Sequence, residues 1–266
     1  MNKEEIKVLF AKVRQRKPLI HHLTNAVTIN DCANVTLALG ASPVMAVGEK
    51  EVEHMVRLAN ALVVNIGTLT DSFFESALLA GKAANKKGIP VVFDPVGAGA
   101  TPYRTERAKE FLEKVDVSIV RGNGSEIHAL IGGNGKTKGV DAGEVSIPME
   151  ELVLEAAKEL KTVVVISGKQ DYISDGKEII RVDNGDIWLT QITGTGCMTT
   201  SLIACFAAVT ENLPAAATAG MSVMGLAGER AKEAAGVEGI GTYRMKLMDE
   251  IFRMDGDIWE EGVRLL

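Results

Sequence analysis

The chain contains no apolar stretch of the length needed to span a bilayer, which excludes a membrane-crossing helix. Basic residues are in the minority: 29 Lys and Arg stand against 35 Asp and Glu, a net charge of −6 over 266 residues. Nucleic acid and anionic membrane surfaces both call for basic patches, so neither is an expected partner. Cysteine is scarce. Cys32, Cys197 and Cys205 show no metal-ligand spacing, and an odd number in a chain this large gives no disulfide framework. The four histidines form no ligand cluster in the sequence. His21 and His22 fall in a predicted strand, where neighbours point to opposite faces, and are expected in core or interface packing. His54 and His128 lie on predicted helices and are expected to be solvated. No G-x-G-x-x-G follows the first strand, so a dinucleotide site has little support. Gly135-Lys136-Thr137 resembles the end of a Walker A loop, but the first glycine of that motif would fall on Leu130 and no apolar helix follows. Met1-Asn-Lys-Glu-Glu opens a charged amphipathic helix rather than an apolar leader. A cytoplasmic protein with reduced thiols is the expectation.

What the chain does have is a regular alternation. Leu19–Leu23, Pro43–Ala46, Ala61–Ile66, Pro90–Phe93, Val117–Val120 and Val163–Ile166 read as strands, most of them short and apolar. Helical patterns lie between them at Ile29–Leu39, Glu49–Asn60, from a cap at Asp71 or Ser72 to Asn85, and at Thr105–Val115, with another from Ser125. Such runs predict a mostly parallel sheet covered on both faces. The pattern then changes: Tyr172–Val182 reads as a hairpin turning at Ser174-Asp-Gly-Lys177. The last third is helical and alanine-rich, with a long packing helix at Leu213–Ala235. Gly132–Ser146 reads as a polar loop or insertion. Neither repeats nor a linker interrupt the chain, so residues 1–266 are expected to form one domain, long enough to bury its own core.

The stretch Thr190-Gln-Ile-Thr-Gly-Thr-Gly-Cys197 carries the strongest chemical signal. It is read as closing an apolar strand and opening a helix over Met198–Val209. Gly194 and Gly196 permit backbone conformations closed to residues with a Cβ, so that N–H groups converge. The hydroxyls of Thr193 and Thr195 and the positive end of the helix dipole add to an anion site, most often one for phosphate. An ordinary glycine turn is the plain structural alternative.

Ligands of open α/β sheets bind beyond the carboxyl ends of the strands. Asn65 and Gly67, Asp94, Arg121-Gly-Asn-Gly-Ser-Glu126, Ser167-Gly168 and the glycine loop all follow strands. Asp94 and Glu126 suit Mg²⁺, held directly or through water. Their structural alternatives are a turn residue before Pro95 and a first-turn glutamate. Arg121 can fork onto phosphate oxygens or close a salt bridge at a strand end. Cys197, in the first turn of its helix, is expected to have a lowered thiol pKa, or else to be a small residue filling a tight turn.

Six strings in order resemble the hydroxyethylthiazole kinases of thiamine salvage, within the ribokinase-like superfamily. They are His22-Leu-Thr-Asn-Ala-Val-Thr-Ile-Asn30, Ala41-Ser-Pro-Val-Met45, Asn65-Ile-Gly-Thr-Leu69, Asp94-Pro-Val-Gly-Ala-Gly99, Arg121-Gly-Asn-Gly-Ser-Glu126 and Thr193-Gly-Thr-Gly-Cys197. The resemblance covers nearly the whole chain, from about Pro18 to the last helix. It implies a ribokinase-like three-layer α/β/α fold with a mostly parallel central sheet and a small β-hairpin addition. The implied reaction is phosphorylation of the primary alcohol of 4-methyl-5-(2-hydroxyethyl)thiazole by Mg·ATP. Carried over residue by residue, Met45 and Gly194 would contact the thiazole, and Asn25 and Gly67 would line the alcohol pocket. Arg121 and Ser167, with Thr193 beside them, would meet ATP, and Asp94 and Glu126 would organise Mg²⁺. The N–H groups of Gly194 and Gly196 would face the transferring phosphoryl. Many ribokinase-like enzymes carry an aspartate base where this family, like this chain, has Cys197, which leaves the base open. The family further implies a homotrimer with active sites between subunits. Other readings on the same fold are a hydroxymethylpyrimidine kinase, a nicotinamide-hydrate dehydratase and a nucleotide sensor without turnover.

Overall fold

The structure is a computed structural model that describes residues 2–132 and 147–266. The Walker-like string at Gly135 and almost all of the Gly132–Ser146 segment lie outside the described residues.

The apolar runs form strands β1 (Leu19–Leu23), β2 (Ser42–Val44), β3 (Ala61–Asn65), β4 (Val91–Asp94), β5 (Ile119–Asn123), β6 (Val163–Ser167), β7 (Asp171–Ser174) and β8 (Ile179–Val182). They join in one sheet with the order β2-β1-β3-β4-β5-β6-β7-β8. Pairing is parallel from β2 through β6 and antiparallel across the β7–β8 hairpin, as expected for a parallel sheet with a hairpin addition. Successive side chains of a strand point to opposite faces, and two cores result. Val63, Val92, Ile119 and Val165 pack on one face. Leu62, Val64, Phe93, Val120 and Ile166 pack on the other. The first face is covered by α1 (Lys3–Arg16), α2 (Ile29–Leu39), α8 (Thr195–Ala207), α9 (Leu213–Ala235), α10 (Ile240–Arg253) and α11 (Gly256–Gly262). The second is covered by α3 (Val52–Leu58), α4 (Asp71–Lys87), α5 (Pro102–Lys114), α6 (Gly124–Leu130) and α7 (Met149–Leu160).

Several boundaries depart from the sequence expectation for local reasons. The cap of α4 is Thr70, not Asp71 or Ser72. Thr70 is extended and its hydroxyl accepts the Phe73 N–H at 3.2 Å, while Asp71 occupies the first turn, where the helix dipole favours it. Thr101 caps α5 in the same way, so that helix begins at Pro102 rather than Thr105. The glycine loop follows a 3₁₀ turn at Ile187–Gln191, not a strand. The Asp186 carboxylate accepts the Trp188 N–H at 2.8 Å and tightens the chain there. Its helix starts at Thr195, three residues earlier than expected, because the Gly194 carbonyl already accepts the Met198 N–H at 2.8 Å. His54 is exposed as expected, but His128 is half-buried, with Nδ1 enclosed and unpartnered among the described residues. His21 and His22 are both fully buried.

Candidate active site

The same two-residue period that divides the core assembles the site. Asn65, Asp94, Arg121 and Ser167 share parity with Val63, Val92, Ile119 and Val165, so all four lie on the face covered by α8; Asn65, Asp94 and Ser167 end their strands, and Arg121 is the central residue of β5. The strand order changes direction at β1, with β2 on one side and β3 on the other. In an open sheet the crevice at such a reversal is where ligands bind. Asn25, just beyond β1, and Asn65, the last residue of β3, flank that crevice.

Both amides have fixed orientations. Asn25 Oδ1 accepts the backbone N–H groups of Val27 and Thr28 at 3.1 and 3.0 Å, together with the Thr28 hydroxyl at 3.1 Å. Asn65 Oδ1 accepts the Gly67 N–H at 2.9 Å and Asn25 Nδ2 at 3.0 Å. Each Nδ2 therefore has a hydrogen for Cys197 Sγ, 3.2 Å from both. Burial, then the charge of Asp94, pushes the Cys197 thiol above its ordinary pKa. This corrects the expectation of a lowered pKa at the helix terminus: loss of water outweighs the dipole here. Gly67 closes over the amides, and a Cβ there would lie 2.9 Å from Asn25 Cβ.

Asp94 is fully buried. Its Oδ2 accepts from Asn65 Nδ2 at 2.9 Å and from the Thr200 hydroxyl at 2.8 Å, and Arg121 Nη1 stands 3.8 Å away. Its Oδ1 is enclosed and unpartnered among the described residues. Burial raises the Asp94 pKa, opposed by Arg121 and the two donors. Glu126 caps its own helix: Oε2 accepts the Asn123 N–H and Oε1 the Gly97 N–H, each at 2.8 Å. Burial, then the charge of Asp94, pushes Glu126 up to about 7. The structural and metal readings of Glu126 thus coexist, since each oxygen keeps a lone pair beyond its backbone bond. The guanidinium of Arg121 donates through Nη2 to Ser167 Oγ at 2.7 Å.

The glycine loop meets this cluster from above. Gly194 has φ +88°, and a Cβ there would lie 2.3 Å from Thr28 Cγ2. A Cβ on Gly196 would lie 2.6 Å from Arg121 Nη1. No side chain caps α8, so the first N–H groups of that helix are open to a ligand. Two further expected site residues make no side-chain hydrogen bond to this cluster among the described residues. Met45 follows edge strand β2 and is half-buried, with the next carbonyl, of Ala46, held by His21 Nε2 at 2.6 Å. Thr193 is exposed on the loop. Sequence reading missed Thr200, one turn into α8, and Arg104. Arg104 binds the carbonyls of Ile66, Val96 and Gly67 at 2.8–2.9 Å and ties together the turns after β3 and β4. An arginine in an exposed-looking helix start gave no signal of that bracing.

The fold is the ribokinase-like three-layer class. Bacillus subtilis pyridoxal kinase superposes with a TM-score of 0.60 at 15% identity, over 80% of this chain and 91% of that one. Hydroxyethylthiazole kinase from Pyrococcus horikoshii OT3 superposes with a TM-score of 0.89 at 39% identity, over 99% of this chain and 98% of that one. A hydroxyethylthiazole kinase of Ruminiclostridium cellulolyticum is 49% identical across 98% of this chain and 97% of its own length. The family model described as the hydroxyethylthiazole kinase family matches residues 10–257. The chain belongs to that family.

Proposed function

We propose that this protein phosphorylates the primary alcohol of hydroxyethylthiazole with Mg·ATP, releasing ADP, in thiamine salvage. One observation carries the reading: the Asn25–Asn65–Cys197 cluster and the Asp94–Arg121 pair meet beneath the open N-terminus of α8. In this assignment Asn25, Gly67, Met45 and Gly194 bound the thiazole alcohol. Arg121, Ser167 and Thr193 face the nucleotide. The N–H groups at Gly194 and Gly196 stabilise charge developing on the transferring phosphoryl, a role in which preorganised donors need no rearrangement. Cys197 positions the alcohol, and phosphoryl transfer through a loose transition state makes little demand for a strong base.

The donor set suits a magnesium ion. Asp94 and Glu126 are two buried acids close enough that the charge of Asp94 raises the proton affinity of Glu126, with one guanidinium beside them and Asp94 Oδ1 without a partner among the described residues. Magnesium takes one or two carboxylates plus water and phosphate oxygens. Bound there, it would neutralise negative charge on the nucleotide phosphates.

One sheet shared by both cores supports a single domain. The homotrimer with shared sites rests on the family resemblance, and exposed Val27, Leu37 and Val47 leave apolar surface for a second copy to cover. No helix among the described residues is long and apolar enough to cross a membrane, and the acidic charge fits a cytoplasmic enzyme.

The test is ADP release with Mg·ATP and a panel of acceptors: hydroxyethylthiazole, hydroxymethylpyrimidine, a nicotinamide hydrate and none. Preferred formation of the thiazole phosphate supports the proposal. Turnover on another acceptor alone discards the substrate, and ATP binding without any turnover discards the kinase reading.

A further inference from the structure

The hairpin at the end of the sheet contains an acid that the proposed chemistry leaves unused. Asp171 opens β7, and its side chain is turned inward with 8% of the residue exposed. A carboxylate is costly to place there, because leaving water disfavours its charge. Strand pairing does not account for it, since pairing with Val182 uses the backbone.

A contact among the described residues explains its place. Asp171 Oδ1 accepts the backbone N–H of Gly168 at 3.0 Å, spanning the tight turn between β6 and β7. The turn is close-packed: a Cβ on Gly168 would lie 3.3 Å from the Gln170 carbonyl oxygen. Gly168 directly follows Ser167, whose Oγ accepts from Arg121 Nη2 at 2.7 Å and donates to the Gly122 carbonyl at 3.4 Å. A continuous path of short contacts therefore runs from Asp171 through Gly168 and Ser167 to the guanidinium. Arg121 in turn feels the charge of Asp171 as well as that of Asp94, so the two acids hold it by different routes.

We propose that Asp171 is a positioning residue for the nucleotide side of the reaction, fixing the Ser167–Gly168 turn and through it the guanidinium of Arg121. The inference rests on the nucleotide role given above to Arg121 and Ser167. Burial pushes the Asp171 carboxyl up to about 7, and an acceptor oxygen held there meets the Gly168 N–H in either charge state.

The experiment compares steady-state kinetics of Asp171→Ala, Asp171→Ser, Asp171→Asn and Arg121→Lys with the parent, alongside thermal melts. Truncation to Ala or Ser raises KM for ATP about tenfold, the scale of one part-buried N–H left without an acceptor, and leaves KM for the thiazole within about twofold of the parent. Asp171→Asn keeps an acceptor for the Gly168 N–H and recovers most of the ATP affinity. An unchanged KM for ATP, an equal rise in both KM values, or an Asn variant as impaired as Ala overturns the proposal. Failure of both truncated variants to fold assigns Asp171 to the fold alone and overturns it too. Arg121→Lys separates the premises. If it leaves KM for ATP unchanged, the nucleotide reading falls with the inference. If it raises KM for ATP while Asp171→Ala does not, only the inference falls.

Discussion

Asn65 Nδ2 lies 3.2 Å from Cys197 Sγ, and the Asn65 carboxamide cannot turn away because its oxygen is held by the Gly67 N–H at 2.9 Å. With Asn25 donating as well, at 3.2 Å, the sulfur acts as an acceptor of two amide hydrogens. The thiol is therefore positioned by its neighbours, while burial and the charge of Asp94 oppose its ionisation.

Cys197→Ser follows from that geometry. A serine hydroxyl accepts the same two N–H groups, so kcat is expected to stay within about tenfold of the parent. A base acting in the transition state contributes about 100–10,000-fold. A loss of that size in a variant with an unchanged melting temperature would make the thiol chemically essential.

The two glycines of the loop should fail differently. Gly194→Ala combines a left-handed φ of +88° with a Cβ 2.3 Å from Thr28 Cγ2, and such strain and overlap cost about 1–3 kcal/mol. A lower melting temperature is the expected result. Gly196 has no left-handed φ, and its added Cβ would meet the far end of the Arg121 side chain, 2.6 Å away, rather than backbone. Gly196→Ala should fold with nearly parent stability and lose activity through a displaced guanidinium. Melts and rates measured on both variants check the contrast.

Much of this site was legible because parallel strands end together. Asn65, Asp94, Arg121 and Ser167 each close an apolar run, and a two-residue period puts all four on the α8 face. Chain order could not reveal the sheet order, so the placing of Asn25 and Asn65 at the reversal of direction emerges only in three dimensions. The raised pKa of Cys197 is hidden for a related reason: sequence shows the helix terminus but not the burial that opposes ionisation. The 3₁₀ turn before the glycine loop reads as the end of an apolar strand because Ile187, Trp188 and Leu189 are apolar, whereas the Asp186 cap decides the local geometry. Thr200 carries no site signal in the sequence, being a helix threonine, and Asp171 reads only as the residue before the Tyr172–Val182 hairpin.

Glu126 provides a pH test. Its pKa is about 7 in the folded chain against an ordinary 4.5, so the folded state binds the extra proton between those values. Its contribution to stability is full below pH 4.5 and is lost as pH rises through 7. Glu126→Gln removes this dependence. With a chelator present, the melting temperature of the variant minus that of the parent should become more positive from pH 5 to pH 8. A difference that is flat, or falls, contradicts the assignment. His22, held down to about 4 by burial, responds in the opposite sense over pH 4–6.5 but is common to both proteins.

The central claim is that phosphoryl transfer to the thiazole alcohol takes place at the buried Asp94 cluster. The most direct test is phosphorus NMR of the product formed from hydroxyethylthiazole and Mg·ATP by the parent and by Asp94→Ala, each shown to be folded. The expected product from the parent is a phosphate monoester on the primary alcohol, with initial rates at least about 100-fold lower from the variant, the scale of a lost electrostatic contribution in a closed site. Parent-like rates and magnesium dependence in Asp94→Ala would contradict it.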